Sequence, residues 1–137
     1  MPPPRTDAPP TVTTPVSVVS LLPGMVLNWR YKPGVRLSLE EAKHESSLIG
    51  RLMEDHSLTE CRLLIDIREM GSISRDARRF FASQEVHDTY GVRGLALVVG
   101  SPVSTMIGNL YLSFNHTLHP TRLFTKREEA IAWLLVL

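Results

Sequence analysis

The sequence contains little cysteine, little net charge and no long apolar run. Its single cysteine, Cys61, excludes an internal disulfide framework and is typical of a reducing compartment, so we expect the cytoplasm. Fifteen Lys and Arg residues against 14 Asp and Glu give a net charge of +1, which offers no broad basic surface to nucleic acid or anionic lipid. The apolar run from Val16 to Leu22 is too short to cross a bilayer and has no basic region before it, so we expect neither a transmembrane helix nor a signal peptide.

Common catalytic and cofactor motifs are also absent. No segment has the spacing of a nucleophile elbow, a phosphate-binding loop or a dinucleotide fingerprint, so we predict neither an enzyme nor a cofactor. Cys61 is more typical of a small buried residue than of a nucleophile. Asp66 and Glu69 flank a strand end without a recognisable acid-base partner. His116 and His119 lie three residues apart, but no nearby Cys, Asp or Glu completes a ligand set, so we predict no metal site.

Periodicity indicates one α/β domain. Residues 1–15 are rich in proline and poor in large apolar side chains, which predicts a disordered lead-in to a domain over residues 16–137. Two strand patterns on either side of Pro23-Gly24 predict an antiparallel hairpin. Strands then alternate with helices, which favours a mixed, mostly parallel sheet of four or five strands with about four helices.

Helix starts are marked by capping residues. Ser38 precedes Glu41 with the spacing of a capping box and predicts a helix to about residue 55. Ser74 is the predicted N-cap of a helix that runs to about residue 90, and Ser101 precedes a helix that starts at Pro102. Thr125 repeats the capping-box spacing before a last helix, whose predicted inward residues are Ala130, Ile131, Leu134 and Leu135.

Two apolar sets allow alternative interpretations. The helix after Ser101 repeats apolar residues at helical spacing, which favours core packing; alternatively, the helix borders a lipid-sized cavity or a partner surface. The residues of this set are Val103, Met106, Ile107, Leu110, Tyr111 and Phe114. Gly108 within this helix would allow close packing. Trp29 and Tyr31 are expected at an exposed strand edge, where they would allow homodimerisation.

Several segments, in the same order, resemble the STAS domains of bacterial anti-anti-sigma factors. The chain from about residue 24 to 137 is more closely similar to a group of small, largely uncharacterised bacterial STAS-like proteins, which are distantly similar to CRAL-TRIO lipid-binding domains. The segments that carry the resemblance are Leu39–Ala42, Ile65–Arg68, Ser72–Arg78, Phe80–Ser83, Val99–Val103, Ile107–Asn109 and Pro120–Thr125. The resemblance implies a STAS-like fold and a regulatory role through a protein partner.

The chain departs from true anti-anti-sigma factors at the phosphorylation motif. Those proteins carry an Asp-Ser-Ser-Gly-like motif at the helix start, where this chain places Ser74, Arg75 and Asp76 at the Asp and the two Ser positions. A cation therefore replaces the switch serine. Ser72 and Ser74 remain candidate phosphorylation sites, because a phosphate there would gain charge-assisted hydrogen bonds from Arg75 and Arg78. The alternative is that both serines serve only the turn and the cap.

The candidate site lies where the strands end. We expect three loops to converge at the carboxyl end of the sheet, over residues 71–75, 100–104 and 115–121. The candidate ligand- or partner-binding residues are Ser72, Ser74, Arg75, Arg78, Ser101, Ser104 and Asn109. Two helix N-termini with serine hydroxyls and a nearby arginine could hold an anionic group. Alternatively, each serine simply caps its own helix.

Three functional hypotheses follow. The first is a non-enzymatic STAS-like regulatory or protein-interaction module that acts through these loops. The second is a small carrier that encloses a lipid-like or anionic ligand between the sheet and the helix over residues 101–115. The third is an enzyme whose nucleophile has no recognisable motif. A cavity with convergent polar groups would favour the carrier, whereas a filled core with an exposed apolar patch would favour the module.

Overall fold

Four strands precede the first helix in the computed structural model, which describes residues 12–81, 91–114 and 120–137. In chain order the elements are β1 Val12–Thr13, β2 Ser17–Leu22, β3 Val26–Tyr31, β4 Arg36–Leu37, α1 Leu39–Asp55, β5 Cys61–Asp66, β6 Ser72–Ile73, α2 Arg75–Phe81, β7 Val92–Val98, α3 Pro102–Phe114, β8 Thr121–Phe124 and α4 Arg127–Leu135. Among the described residues, no helix has the length and hydrophobicity needed to cross a bilayer. The predicted continuation of α2 to about residue 90 lies outside the described residues.

The main sheet has six strands in the order β1-β2-β3-β5-β7-β8. The first three strands pair antiparallel, and β3, β5, β7 and β8 pair parallel, which confirms the predicted mixed sheet with an antiparallel hairpin. The strand count exceeds the predicted four or five because Val12 and Thr13 also pair with β2. Residues 12–15 thus belong to the fold, and the predicted disorder of residues 1–11 lies outside the described part. Strands β4 and β6 form a separate parallel pair.

The hairpin between β2 and β3 depends on a glycine. Leu22 pairs with Val26, which leaves a three-residue loop that contains Gly24 and Met25. Gly24 has φ +85° and Met25 has φ +59°. Residues other than glycine rarely adopt such φ angles, so Gly24 lowers the conformational free-energy cost of this turn.

Each face of the sheet has its own hydrophobic core. In β5, Leu63 points to the face covered by α1 and α2, whereas Leu64 points to the opposite face. There it packs with Ala130 and Leu134 of α4, which are both fully buried. Because successive side chains of a strand point to opposite faces, β5 contributes residues to both cores. Helices α1, α2 and α3 cover one face of the sheet, and α4 covers the other.

The interior position of β3 overturns one prediction. Trp29 and Tyr31 are only 3% and 5% exposed, because β3 lies between β2 and β5 and turns both side chains towards the core under α1. The homodimer contact expected through an exposed edge at these residues is therefore wrong.

The helix starts follow the predicted caps except at α4. The Ser38 hydroxyl accepts a hydrogen bond from the Glu41 amide at 3.2 Å, and the Ser38 amide donates to Glu41 Oε1 at 3.0 Å, which confirms the capping box. The predicted box at Thr125 is wrong, since Lys126 is the N-cap and makes no side-chain cap bond. Leu135, which was expected to face inward, is 48% exposed.

Arg62 ties β5 to the end of α4. Its Nε donates to the Leu134 carbonyl at 2.8 Å and Nη2 donates to the Leu137 carbonyl at 3.1 Å. Nη1 donates to the Gly24 carbonyl at 2.8 Å. Carbonyl groups at a helix C-terminus have no partner within the helix, so a guanidinium in this position both pairs them and complements the helix dipole.

Candidate functional site

The loop from β5 to α2 forms the first part of the candidate site. β6 pairs with β4 and contacts α3, so residues 72–75 lie beside the α3 helix. The Ser74 hydroxyl accepts a hydrogen bond from the Ala77 amide at 3.0 Å, and the Ser74 carbonyl accepts one from the Arg78 amide at 3.0 Å. Ser74 is therefore the N-cap of α2, as predicted.

The loop from β7 to α3 forms the second part. Ser101 Oγ accepts from the Ser104 amide at 3.0 Å, and Ser104 Oγ accepts from the Ser101 amide at 2.9 Å. Ser104 Oγ also accepts from the Gly100 amide at 3.0 Å. The two serines thus cap α3 reciprocally, and Ser104 is fully buried beneath the loop. The Ser104 hydroxyl therefore stabilises the conformation of the loop before α3 through these hydrogen bonds.

The seven candidate residues differ in accessibility. Ser72, Ser74, Arg75 and Asn109 are exposed, Arg78 and Ser101 are half-buried, and Ser104 is buried. Among the described residues, Arg78 Nε is buried without a hydrogen-bond partner. Strand β6 contacts α3, the helix that follows the second loop. That these residues form one binding site stays a prediction.

The third predicted loop does not join them. The Pro120 carbonyl accepts a hydrogen bond from the Leu95 amide at 2.9 Å, and Thr121, the first residue of β8, pairs with Leu95 in the middle of β7. Because β8 runs parallel to β7, Pro120 and Thr121 lie at the amino end of β8, on the side of the sheet away from the other two loops. The expectation that residues 115–121 converge at the carboxyl end is wrong for residues 120–121, and residues 115–119, with His116 and His119, lie outside the described part.

Helix α3 presents apolar side chains to both core and solvent. Ile107 is buried, whereas Val103 is 42% and Met106 56% exposed, so the expected core packing is wrong for these two residues. A Cβ on Gly108 would lie 2.7 Å from a Leu123 methyl carbon and 3.2 Å from one of Val99. Gly108 therefore allows the predicted close packing, which fixes the inward face of α3.

Asp66 has a structural partner. It is only 4% exposed, and its carboxylate accepts from the Arg68 amide at 3.0 Å and from Arg68 Nη2 at 2.7 Å. The hydrogen bond from the side chain raises the pKa of the Arg68 guanidinium, which stays charged. Across residues 12–81, 91–114 and 120–137, no three His, Cys, Asp or Glu side chains cluster in a way that could hold a metal ion.

Cys61 lies in the core. Burial, with a smaller effect of the neighbouring Glu60 carboxylate, raises the pKa of the Cys61 thiol from 9.0 to about 11. The thiolate is the nucleophilic form, so the Cys61 side chain is a poor nucleophile near neutral pH. Its environment fits the predicted role as a small hydrophobic residue.

The raised pKa of Cys61 predicts a loss of stability in alkali. Between pH 9 and 11 the unfolded thiol has released its proton while the folded thiol keeps it, so the free energy of unfolding falls as pH rises. From pH 8 to pH 10.5 the stability of the wild type relative to Cys61→Ala should fall by roughly 2 kcal/mol. Urea unfolding at the two pH values measures this difference, and a constant difference would contradict the prediction.

A cavity of about 90 Å³ lies between the sheet and the helices α1, α2 and α3. Its wall is almost entirely apolar and includes Ile107 of α3. Two residues of the wall, Trp29 and Glu45, hold buried polar atoms, Nε1 and Oε2, that have no hydrogen-bond partner within residues 12–81, 91–114 and 120–137. Glu45 is not among the residues predicted from the sequence, although its position three residues after Ala42 and four before Ile49 places it on the buried stripe of α1.

Comparison with known proteins identifies the family. Residues 21–136 match the model of DUF7793, a domain of unknown function. The chain belongs to the DUF7793 family. A comparison of the DUF7793 protein with curated proteins gives no significant match.

Two solved structures show the fold of the DUF7793 protein. A DUF3478-family protein from Shewanella loihica PV-4, described as having a SpoIIAA-like fold, matches with a TM-score of 0.61 and 16% identity over 90% of this chain and 98% of that one. The anti-sigma factor antagonist SpoIIAA in its unphosphorylated form matches with a TM-score of 0.53 and 12% identity over 85% of this chain and 96% of that one. At such identities the likeness shows the fold alone, and it confirms the STAS-like fold expected from the sequence.

Proposed function

We propose that the DUF7793 protein is a non-enzymatic regulatory module that binds a protein partner at the carboxyl end of its sheet. The contact surface, called here the α3 surface, consists of Ser72, Arg75, Val103, Met106 and Asn109, which are all exposed. The observation that carries the proposal is the exposed apolar pair Val103 and Met106 on a helix that packs beside β6. The resemblance in fold to an anti-sigma factor antagonist supports a regulatory role.

The chemistry of the α3 surface suggests what it would bind. Protein–protein interfaces usually have an apolar centre surrounded by a polar rim. The flexible side chain of Met can pack against partners of different shape. Arg75 adds an exposed cation that could pair with a carboxylate of the partner. The partner would therefore present an apolar side chain next to an acidic one.

Phosphorylation could regulate this contact. Ser72 is exposed in β6, and its hydroxyl has no hydrogen-bond partner among the described residues, whereas the Ser74 hydroxyl already caps α2. Ser72 is therefore the better acceptor of the two. A phosphate there would place about two negative charges close to Arg75 and would compete with an acidic partner for that cation.

Substitution of Met106 tests the proposal. We expect affinity capture from a lysate of the source organism to enrich a protein that then binds the purified wild type directly. Met106→Glu should weaken that binding at least tenfold, roughly 1.4 kcal/mol, because a charge enters the apolar centre. Arg75→Ala should weaken it by a smaller factor.

Val136→Glu is the matched control for this test. Val136 is 81% exposed and follows α4, on the opposite face of the sheet from α3, so the same change there should leave binding intact. Circular dichroism checks that each variant is folded. Equal binding by wild type and Met106→Glu, or equal loss with Val136→Glu, would show that the α3 surface is not the contact.

A second candidate function is a small carrier, favoured by the cavity. The cavity lies between the sheet and α3, and Ile107 of α3 lines it. It is bounded mainly by apolar side chains of β3, β5 and β7, and α1 covers it with Glu45. This cavity suits an apolar molecule better than an anionic one, because its wall is almost entirely apolar and includes no Lys, Arg or His side chain among the described residues.

A further inference from the structure

We propose that the cavity binds a small neutral alcohol, whose hydroxyl pairs with Glu45 and Trp29 while its hydrocarbon part fills the apolar wall. The proposal rests on the carrier function and names the chemical class of its ligand. Both polar side chains border the cavity and are nearly completely buried, with exposures of 1% for Glu45 and 3% for Trp29.

Glu45 has one oxygen that is satisfied and one that is not. Oε1 accepts hydrogen bonds from the hydroxyl groups of Thr14, at 3.2 Å, and of Ser17. Oε2 is buried and has no partner within the described part of the chain. Glu45 borders the cavity, so Oε2 can accept a hydrogen bond from a ligand there while Oε1 keeps its bonds to Thr14 and Ser17. A hydrogen-bond donor on the ligand would then satisfy it.

Trp29 requires the opposite kind of group. Its Nε1–H can only donate, and it is buried without an acceptor among the residues that the structure describes. An ammonium ion would satisfy Glu45 but has no lone pair for Trp29, and an ether would satisfy Trp29 but has no proton for Glu45. A hydroxyl group both donates and accepts, so an alcohol carries both functions, and its hydrocarbon part, which water lacks, would also pack against the apolar wall.

The volume limits the size of the ligand. At about 90 Å³ the cavity is smaller than an engineered apolar cavity of roughly 150 Å³ that binds benzene. A few carbon atoms would therefore fill it. Apolar residues such as Ile65, Leu97 and Ile107 form the wall against which this hydrocarbon part would pack. We use 1-butanol as the probe and its isomer diethyl ether, which lacks the donor, as the matched comparison.

The two tryptophans provide a readout with an internal control. Trp29 borders the cavity, whereas Trp133 packs against Phe124 on the other face of the sheet, with ring centroids 5.6 Å apart. In ¹H–¹⁵N NMR spectra of the full chain, 1-butanol should shift the Trp29 indole signal saturably, with a dissociation constant on the order of 1 mM. Trp133 should not respond. Trp29→Phe and Trp133→Phe variants assign the two signals.

The variants and the ether separate the possible outcomes. Trp29→Phe should weaken 1-butanol binding about fivefold, as expected from the loss of one hydrogen bond of about 1 kcal/mol, when binding is followed by the methyl signals of Ile65 or Ile107. Diethyl ether should bind at least fivefold more weakly than 1-butanol. Equal binding of both probes would overturn the alcohol proposal but leave the carrier function standing. Binding of neither probe, or an equal shift of Trp133, would overturn both.

Discussion

Leu64→Ala is expected to lower the free energy of unfolding by about 3 kcal/mol, within the range of roughly 2–5 kcal/mol for buried leucines. Leu64 is fully buried in the central strand β5, where it packs with Ala130 and Leu134 beneath α4. The truncation removes apolar burial and leaves a cavity that a six-stranded sheet cannot easily close. Urea denaturation followed by circular dichroism measures the change.

The control for Leu64→Ala is Val136→Ala. Val136 is 81% exposed, so its truncation should change stability by no more than about 0.5 kcal/mol. Leu64 also lies on the face of the sheet opposite the cavity. We therefore expect folded Leu64→Ala protein to keep the response of Trp29 to 1-butanol. A loss of less than about 1 kcal/mol at Leu64 would mean that α4 is not tightly packed on the sheet.

Ser104→Ala is expected to lower the free energy of unfolding by about 2 kcal/mol. The fully buried Ser104 hydroxyl accepts from the amides of Gly100 and Ser101 and donates to the Ser101 carbonyl at 3.2 Å. Alanine has no acceptor for these amides, and a buried donor without a partner costs roughly 1–3 kcal/mol. The same denaturation measurement applies.

Thr105→Ala is the neighbouring control for Ser104→Ala. Thr105 is exposed in the first turn of α3, so its replacement should cost little and could gain slightly from the helix propensity of alanine. The amide signals of Gly100 and Ser101 should shift in Ser104→Ala and stay in place in Thr105→Ala. Equal stability of the two variants would contradict a structural role for Ser104.

Ser104 also affects how binding data are interpreted. It was predicted as a ligand- or partner-binding residue, yet its hydroxyl is engaged by the loop that precedes Val103. A Ser104→Ala variant that binds a partner poorly would therefore report a displaced loop. Substitutions of Arg75 and Met106, which are exposed, test contact more directly.

Helix α3 connects the two functional hypotheses. Ile107 lines the cavity, and its neighbour Met106 faces solvent. Protein binding would use the outer face of the helix, whereas ligand binding would use the inner face. The same protein could therefore perform both functions, and the experiments on Met106 and on Trp29 test them independently.

Local sequence was sufficient to predict the order of the longer elements, although not the two-residue strands β1 and β6. Ser38, Ser74 and Ser101 cap helices as predicted, because a cap depends only on residues within one turn. The parallel sheet with its N-terminal hairpin also followed from the alternation of strand and helix patterns. Thr125 was misassigned because Lys126, without a side-chain cap bond, begins α4 in its place.

Tertiary structure decided which faces are buried and which loops meet. Helical spacing identified an apolar stripe on α3 but not which part of that stripe faces the sheet. Met106 was therefore expected in the core, although it is exposed. Trp29 is buried because β3 lies between its hairpin partner β2 and the distant strand β5, and Glu45 is buried because hydroxyl groups far away in sequence bind its side chain. The sequence by itself determined the caps, the strands and the STAS-like order. Only the packed structure created the cavity and the exposed face of α3, because both depend on contacts between residues that are distant along the chain.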